Sequence, residues 1–222
     1  MVQYKYIKTL ILSAVICVIY GHTYAQTPVE VFVGDKKSTL DIMFFKYFKN
    51  SEKQNSRFLF FNRNRASIDY KMTETTNLPQ FGFTEAISYN APKLKGFAPV
   101  AVVSILNKGI YPKVGIQYVK QKTNFTFFGW TVAETLHDAN IDLFILSRFT
   151  PKLTDKINLY TQLELLNNFP TTNKNNFNFV QRIRLGLKLK EFQFGAGFDF
   201  AENGRKNYTN TTNIGGFLRY EF

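Results

Sequence analysis

The feature that most constrains this chain is a recurring alternation. Stretches of roughly ten residues carry an apolar side chain at every second position, and clusters of Asn, Lys, Thr, Pro and Gly divide them. The clearest stretch is 157–167: Ile157, Leu159, Thr161, Leu163 and Leu165 take one face, and Asn158, Tyr160, Gln162 and Glu164 take the other. Successive side chains of a strand point to opposite faces, so this pattern is that of a β-strand with one apolar and one polar surface. Residues 177–190 repeat it, with Phe177, Phe179, Ile183, Leu185, Leu187 and Leu189 opposite Arg182, Arg184, Gly186, Lys188 and Lys190. Residues 192–200 set Phe192, Phe194, Ala196, Phe198 and Phe200 against Gln193, Gly195, Gly197 and Asp199.

Weaker alternation covers 39–49, 57–70, 80–90, 97–107, 111–120, 125–134, 140–150 and 212–222, which makes eleven segments. Single-chain bacterial barrels have even strand numbers, so the short run 29–33 is added as a first strand. The expectation is an all-β fold, an antiparallel transmembrane β-barrel of twelve strands, or ten if two weak segments merge. A soluble sandwich also alternates, but it does not explain outward positions filled with Phe, Leu and Ile against charged inward ones. Gaps between segments follow the barrel rule of short turns at one end and longer loops at the other: 190–191 and 151–154 are short, and 202–211, 168–176, 135–139 and 72–79 are longer. The brief 108–110 turn is an exception.

Residues 1–25 read as a signal peptide, with Lys5 and Lys8, an apolar run from Leu10 to Tyr20, and Thr23-Tyr24-Ala25 at the cleavage site. The apolar run is shorter than the ~20 residues a spanning helix needs. Residues 26–222 would then be a single barrel domain. Cys17 is the only cysteine and lies in the apolar run, so the exported part is free of thiols. Bulky Ile16 before it argues against lipid attachment there. With 28 Lys and Arg against 16 Asp and Glu, the chain is strongly basic. For an exported chain this points to anionic neighbours such as lipopolysaccharide phosphates or an anionic solute, and not to nucleic acid.

The last strand carries the most specific motif. Ile214, Gly216, Leu218, Tyr220 and the terminal Phe222 share one face. This resembles the C-terminal signature of bacterial outer-membrane β-barrel proteins. The resemblance implies that Leu218, Tyr220 and Phe222 are read by the barrel-assembly machinery, that the chain sits in the cell outer membrane, and that outer-membrane lipids are its surroundings. In lipid every backbone group must pair within a closed barrel. Phe222, Tyr220, Trp130 and Tyr118 are candidates for the aromatic girdles at its two rims.

Inward positions are the candidate functional ones. Arg63, Arg65 and Asp69 alternate on one face of their segment, and Arg182, Arg184 and Lys188 do so on theirs. Two readings follow: a basic channel that favours anions, or a lumen filled by Arg paired with Asp69, Glu164, Asp199 and Glu221. Phe127, Phe144, Tyr160 and Phe217 also fall on expected inward faces and would suit a nucleoside-like or amphipathic solute. The working expectation is a passive channel for small solutes, with a closed structural or surface-interaction barrel as the alternative. A lipid hydrolase is the third reading; its one histidine after the leader, His137, has Glu134, Asp138 and Ser147 as its nearest partners by sequence. There is no His or Cys spacing for a metal, no phosphate-binding loop and no nucleophile elbow, so no cofactor is expected.

Overall fold

The computed structural model describes residues 27–70, 80–136 and 138–222. The expected signal peptide with Cys17, the expected 72–79 loop and His137 lie outside the described residues.

Twelve strands form one closed antiparallel barrel in which each strand pairs with its neighbours in sequence. They are β1 Pro28–Gly34, β2 Lys37–Lys49, β3 Asn55–Asp69, β4 Gln80–Tyr89, β5 Phe97–Leu106 and β6 Gly109–Lys122. The second half comprises β7 Phe125–Glu134, β8 Ile141–Phe149, β9 Ile157–Phe169, β10 Phe177–Leu189, β11 Phe192–Gly204 and β12 Tyr208–Glu221. Closure is made by β1 against β12, from Pro28 opposite Glu221 to Gly34 opposite Gly215. The added first strand is therefore the one that seals the sheet and removes both edges.

Alternation sorts the side chains as the sequence implies. On β9, Tyr160, Gln162 and Glu164 are buried inside while Leu163 is exposed outside. On β10, Arg184 is buried while Ile183, Leu185 and Leu189 are exposed. Two glycines open room in this region. A Cβ at Gly197 would lie 2.7 Å from the Phe32 ring and 3.0 Å from Arg184, and one at Gly195 would meet the Leu185 carbonyl oxygen. Gly197 lets the wall approach what fills the lumen, and Gly195 lets β11 lie close against β10.

Loop length does not separate the two ends. At the proximal end, where both Pro28 and Glu221 lie, the connections are 50–54, 90–96, 123–124, 150–156 and 190–191. The distal end has two-residue turns at 35–36 and 107–108 beside the longer 135–140 and 170–176. The expected long loop at 202–211 is mostly strand, since β11 runs to Gly204 and β12 begins at Tyr208, leaving 205–207 as a short turn. Polar residues at these strand ends pair with each other across the ladder, from Asn203 opposite Thr209 to Glu202 opposite Asn210, and so continue the sheet beyond the apolar stretch.

Candidate functional site in the lumen

The middle of the barrel is spanned by two different fillings. The first is an ionic belt. Arg63 of β3 donates to Asp41 of β2, with its Nε 3.1 Å from Oδ1, and reaches across the lumen to Glu164 of β9 at 3.0 and 3.1 Å. Arg182 donates to the same Glu164. Arg184 donates to Glu30 of β1 at 3.0 Å and to Asp199 of β11 at 2.7 Å, and its guanidinium lies 4.0 Å from the Phe32 ring centroid. Arg65 stands 3.8 Å from both Asp41 and Asp199. Arg63, Arg65, Arg182 and Arg184 thus face Asp41, Glu164, Asp199 and Glu30, one carboxylate for each guanidinium. Charges taken from water are tolerable when paired and hydrogen-bonded in this way.

The second filling is aromatic. Phe61 of β3 stacks on Phe128 of β7 across the lumen at 5.1 Å, and Phe45 of β2 stacks on the same ring at 4.9 Å. Trp130 and Phe144 close the cluster, with Trp130 edge-on to Phe61 at 4.8 Å and tilted against Phe144 at 5.1 Å. Such offset and edge-on pairs suit the ring quadrupoles. The belt and the cluster meet where the Arg63 guanidinium lies 5.9 Å from the Phe144 centroid.

Above this floor, toward the distal end, is a vestibule with a cavity of about 410 Å³. Phe61, Trp130, Phe144, Arg63 and Arg182 form its base; Thr84, Ser104, Tyr111, Lys113, Asp142 and Asn168 line its sides. Lys113 pairs with Asp142, which also accepts from Asn168 at 2.5 Å. The cavity opens into a wider mouth edged by Lys108, Asp138, Asn140, Asn175, Asn176 and Asn203. Aromatic faces below and amide and hydroxyl groups around them are the usual composition of a small-molecule pocket. Below the belt the balance is basic: Arg148, Lys188 and Arg219 gather near Glu221, with Lys188 2.6 Å and Arg219 3.7 Å from its carboxylate. Arg148 donates to Gln162 at 2.8 Å, and the Arg148 and Arg219 guanidinium carbons lie 5.9 and 6.0 Å from the Tyr160 centroid.

The expected lumen residues therefore lie inside, but as the filled arrangement: each of Arg63, Arg65, Arg182, Arg184 and Lys188 has a carboxylate neighbour. Asp69 sits at the distal end of β3 opposite Lys37, away from the belt. Asp41 and Glu30, which the sequence reading did not single out, supply two of the four belt acids. Alternation was the available signal, since Glu30 and Phe32 face away from Val29, Val31 and Val33. Two placements are corrected. Trp130 is buried in the lumen cluster and is not a girdle residue, and Phe127 faces outward against Tyr118. Phe144, Tyr160 and Phe217 are inside as expected, with Tyr160 and Phe217 5.6 Å apart. Tyr118 with Phe97 and Phe127, and Tyr220 with Phe192 and Phe222, form two outward aromatic groups at the proximal rim. Leu218 is exposed on the same outward face as Tyr220. Of the hydrolase residues, Ser147 lies toward the proximal end of β8 while Glu134 ends β7 distally, so the two stand at opposite ends of the wall. Asp138 accepts from Asn175 at 2.6 Å.

No family model matches the chain, and no curated protein matches it. Among solved structures it is similar to a KdgM porin, at 11% identity over 89% of this chain and 99% of that one, with a TM-score of 0.47. It is also similar to the beta domain of the Bordetella autotransporter Brka, at 11% identity over 89% of this chain and 100% of that one, with a TM-score of 0.37.

Proposed function

We propose that this chain is an outer-membrane barrel whose distal vestibule takes up small, aromatic-bearing solutes, and that the ionic belt beneath makes it a narrow, restricted channel. The vestibule carries the reading: a cavity of about 410 Å³ with Trp130, Phe61 and Phe144 below polar walls. An outward wall of exposed Ile, Leu, Val and Phe on every strand but β7 supports placement in lipid. The C-terminal Leu218, Tyr220 and Phe222 support delivery by the assembly machinery, with lipopolysaccharide as the neighbour of the distal rim.

Trp130 is the only tryptophan and lines the vestibule, so its fluorescence reports occupancy. Titration of the folded chain with nucleosides should quench it saturably, and a linear response equal to that of free tryptophan would reject the site. Passage is read in planar bilayers. The expected result is a low, steady conductance that rises when Arg63, Glu164 and Arg182 are replaced together by small neutral residues. Any anion preference should fall with Arg148→Gln and Arg219→Gln, the basic pair below the belt. A second reading, a closed binding or structural barrel, is favoured by the cross-lumen pairing of Arg63 with Glu164 and the aromatic cluster beside it. Silence of both the native and the belt-cut barrel would establish it.

A further inference from the structure

Each guanidinium of the belt meets a carboxylate, and at the proximal end this pairing continues on the side of β8 to β12. There Lys152 pairs with Asp155 at 2.7 Å and Lys188 with Glu221 at 2.6 Å. Around β5 and β6 it stops. From Ala86 to Ala133 the chain holds no Asp or Glu. Lys93 and Lys95 in the 90–96 turn, and Lys120 and Lys122 at the end of β6, are all exposed. None of their ammonium groups has an ion-pair or hydrogen-bond partner among the described residues.

Apolar and aromatic groups surround these lysines. Gln117 and Val119 are buried inside, so Val114, Ile116, Tyr118, Lys120 and Lys122 follow one another along the outward face of β6. The Tyr118 ring lies 4.8 Å from Phe97 and 5.9 Å from Phe127. Lys120 stands opposite Phe127 in the ladder, and Lys122 opposite Phe125. Val119 donates its N–H to the Gly96 carbonyl at 3.1 Å, which holds the 90–96 turn beside this end of β6. In that turn Lys93 and Lys95 flank Leu94, which is 44% exposed, and Phe97 after them is 53% exposed. Toward the proximal end the wall thus passes from aliphatic to aromatic to cationic, the order of acyl chain, interface and headgroup. Lysine stems can lie along such a surface while the ammonium groups reach the polar layer.

On the reading that this wall faces lipid, we infer that the proximal end of β5 and β6 is a binding surface for anionic phospholipid. Lys93, Lys95, Lys120 and Lys122 meet the headgroup phosphates, and Leu94, Phe97 and Tyr118 meet the upper part of the acyl chains. Unpaired cations are free to take a phosphate, whereas Lys152 and Lys188 are already held by carboxylates. Lys120 and Lys122 face outward from the wall, where headgroups meet it; an acidic protein would approach from below the rim. A lysine at an anionic lipid surface contributes roughly fivefold in binding.

The test uses the full chain extracted from membranes in a non-ionic detergent, stripped of lipid and offered equal amounts of phosphatidylglycerol and phosphatidylethanolamine. Lipid retained through gel filtration is counted by mass spectrometry. The anionic lipid should be retained over the zwitterionic one by at least tenfold. Lys93→Gln, Lys120→Gln and Lys122→Gln together should bring the ratio to within about twofold of one. Lys152→Gln, Lys156→Gln and Lys190→Gln, which remove the same charge from the same end away from this patch, should leave it unchanged. All six side chains are exposed, and heat-modifiable gel mobility confirms that both variants fold. Equal retention of the two lipids, a ratio that survives in the patch variant, or an equal fall in both variants would overturn the inference. So would displacement of the lipid by inorganic phosphate at the same concentration, which would assign a soluble-anion site. A chain missing from the membrane fraction would instead overturn the lipid-facing reading on which the inference rests.

Discussion

The two fillings of the lumen close the same cross-section by opposite means. Toward β9 to β11 with β1, eight charged groups hold one another, three of them (Asp41, Arg63 and Arg65) reaching in from β2 and β3, and Glu164 serves Arg63 and Arg182 together. On the side of β2 to β8, Phe45, Phe61, Phe128, Trp130 and Phe144 stack in a continuous cluster. An aromatic cluster loses contact area in proportion to what is removed. A buried ionic group is conditional, because deleting one partner strands the others without water or counter-charge. The difference predicts two kinds of mutational response, one all-or-none and one graded.

The largest effect should come from Glu164→Leu, which leaves two guanidinium groups short of a carboxylate and should cost about 3–5 kcal/mol. Urea unfolding of the barrel in lipid vesicles measures it. The same experiment on Arg63→Met with Glu164→Leu should show a smaller loss than the sum of the singles, and strict additivity would mean that the belt is a set of independent pairs. In the aromatic half, Phe61→Ala should cost about 3 kcal/mol through lost contact and the space left behind, and Phe61→Leu a fraction of that. Equal losses for the two would break the graded picture. Gly197→Ala comes next. It forces a Cβ against Phe32 and Arg184 at the border of belt and wall, with an expected cost of about 1–3 kcal/mol and a displaced Arg184. The smallest effect belongs to Asp142→Asn in the wetter vestibule, where the Lys113 pair is partly exposed and the change should stay within about 1 kcal/mol. A loss as large as that of Glu164→Leu would show that the belt extends to the vestibule rim.

The strand pattern was legible because an apolar outer wall and polar groups inside impose period two on the strands. Boundaries were met closely for β7 and β9, and less so for β11 and β12, where polar residues prolong the ladder past the apolar stretch. Parity failed at 125–134, since Phe125, Phe127, Phe128 and Trp130 place aromatics on both faces and hide which side is inward. The reverse happened at 60–65: Arg63 and Arg65 marked the inward face, while the outward Asn62 and Asn64 broke the alternation without drawing notice. Arg63 and Asn62 are one residue apart, yet the first has two carboxylates and the second an orphaned oxygen.

By itself, the sequence led to a closed antiparallel barrel of twelve or ten strands, because side-chain alternation depends only on local backbone geometry and on which solvent each face meets; the structure fixed the count at twelve. Which inward groups touch was decided by the tertiary structure. Arg63 meets Glu164, 101 residues away, only because closure and strand tilt bring β3 opposite β9, and no local pattern encodes that stagger. The same closure turned a row of cations into a compensated belt and set Trp130 over it as the floor of a vestibule.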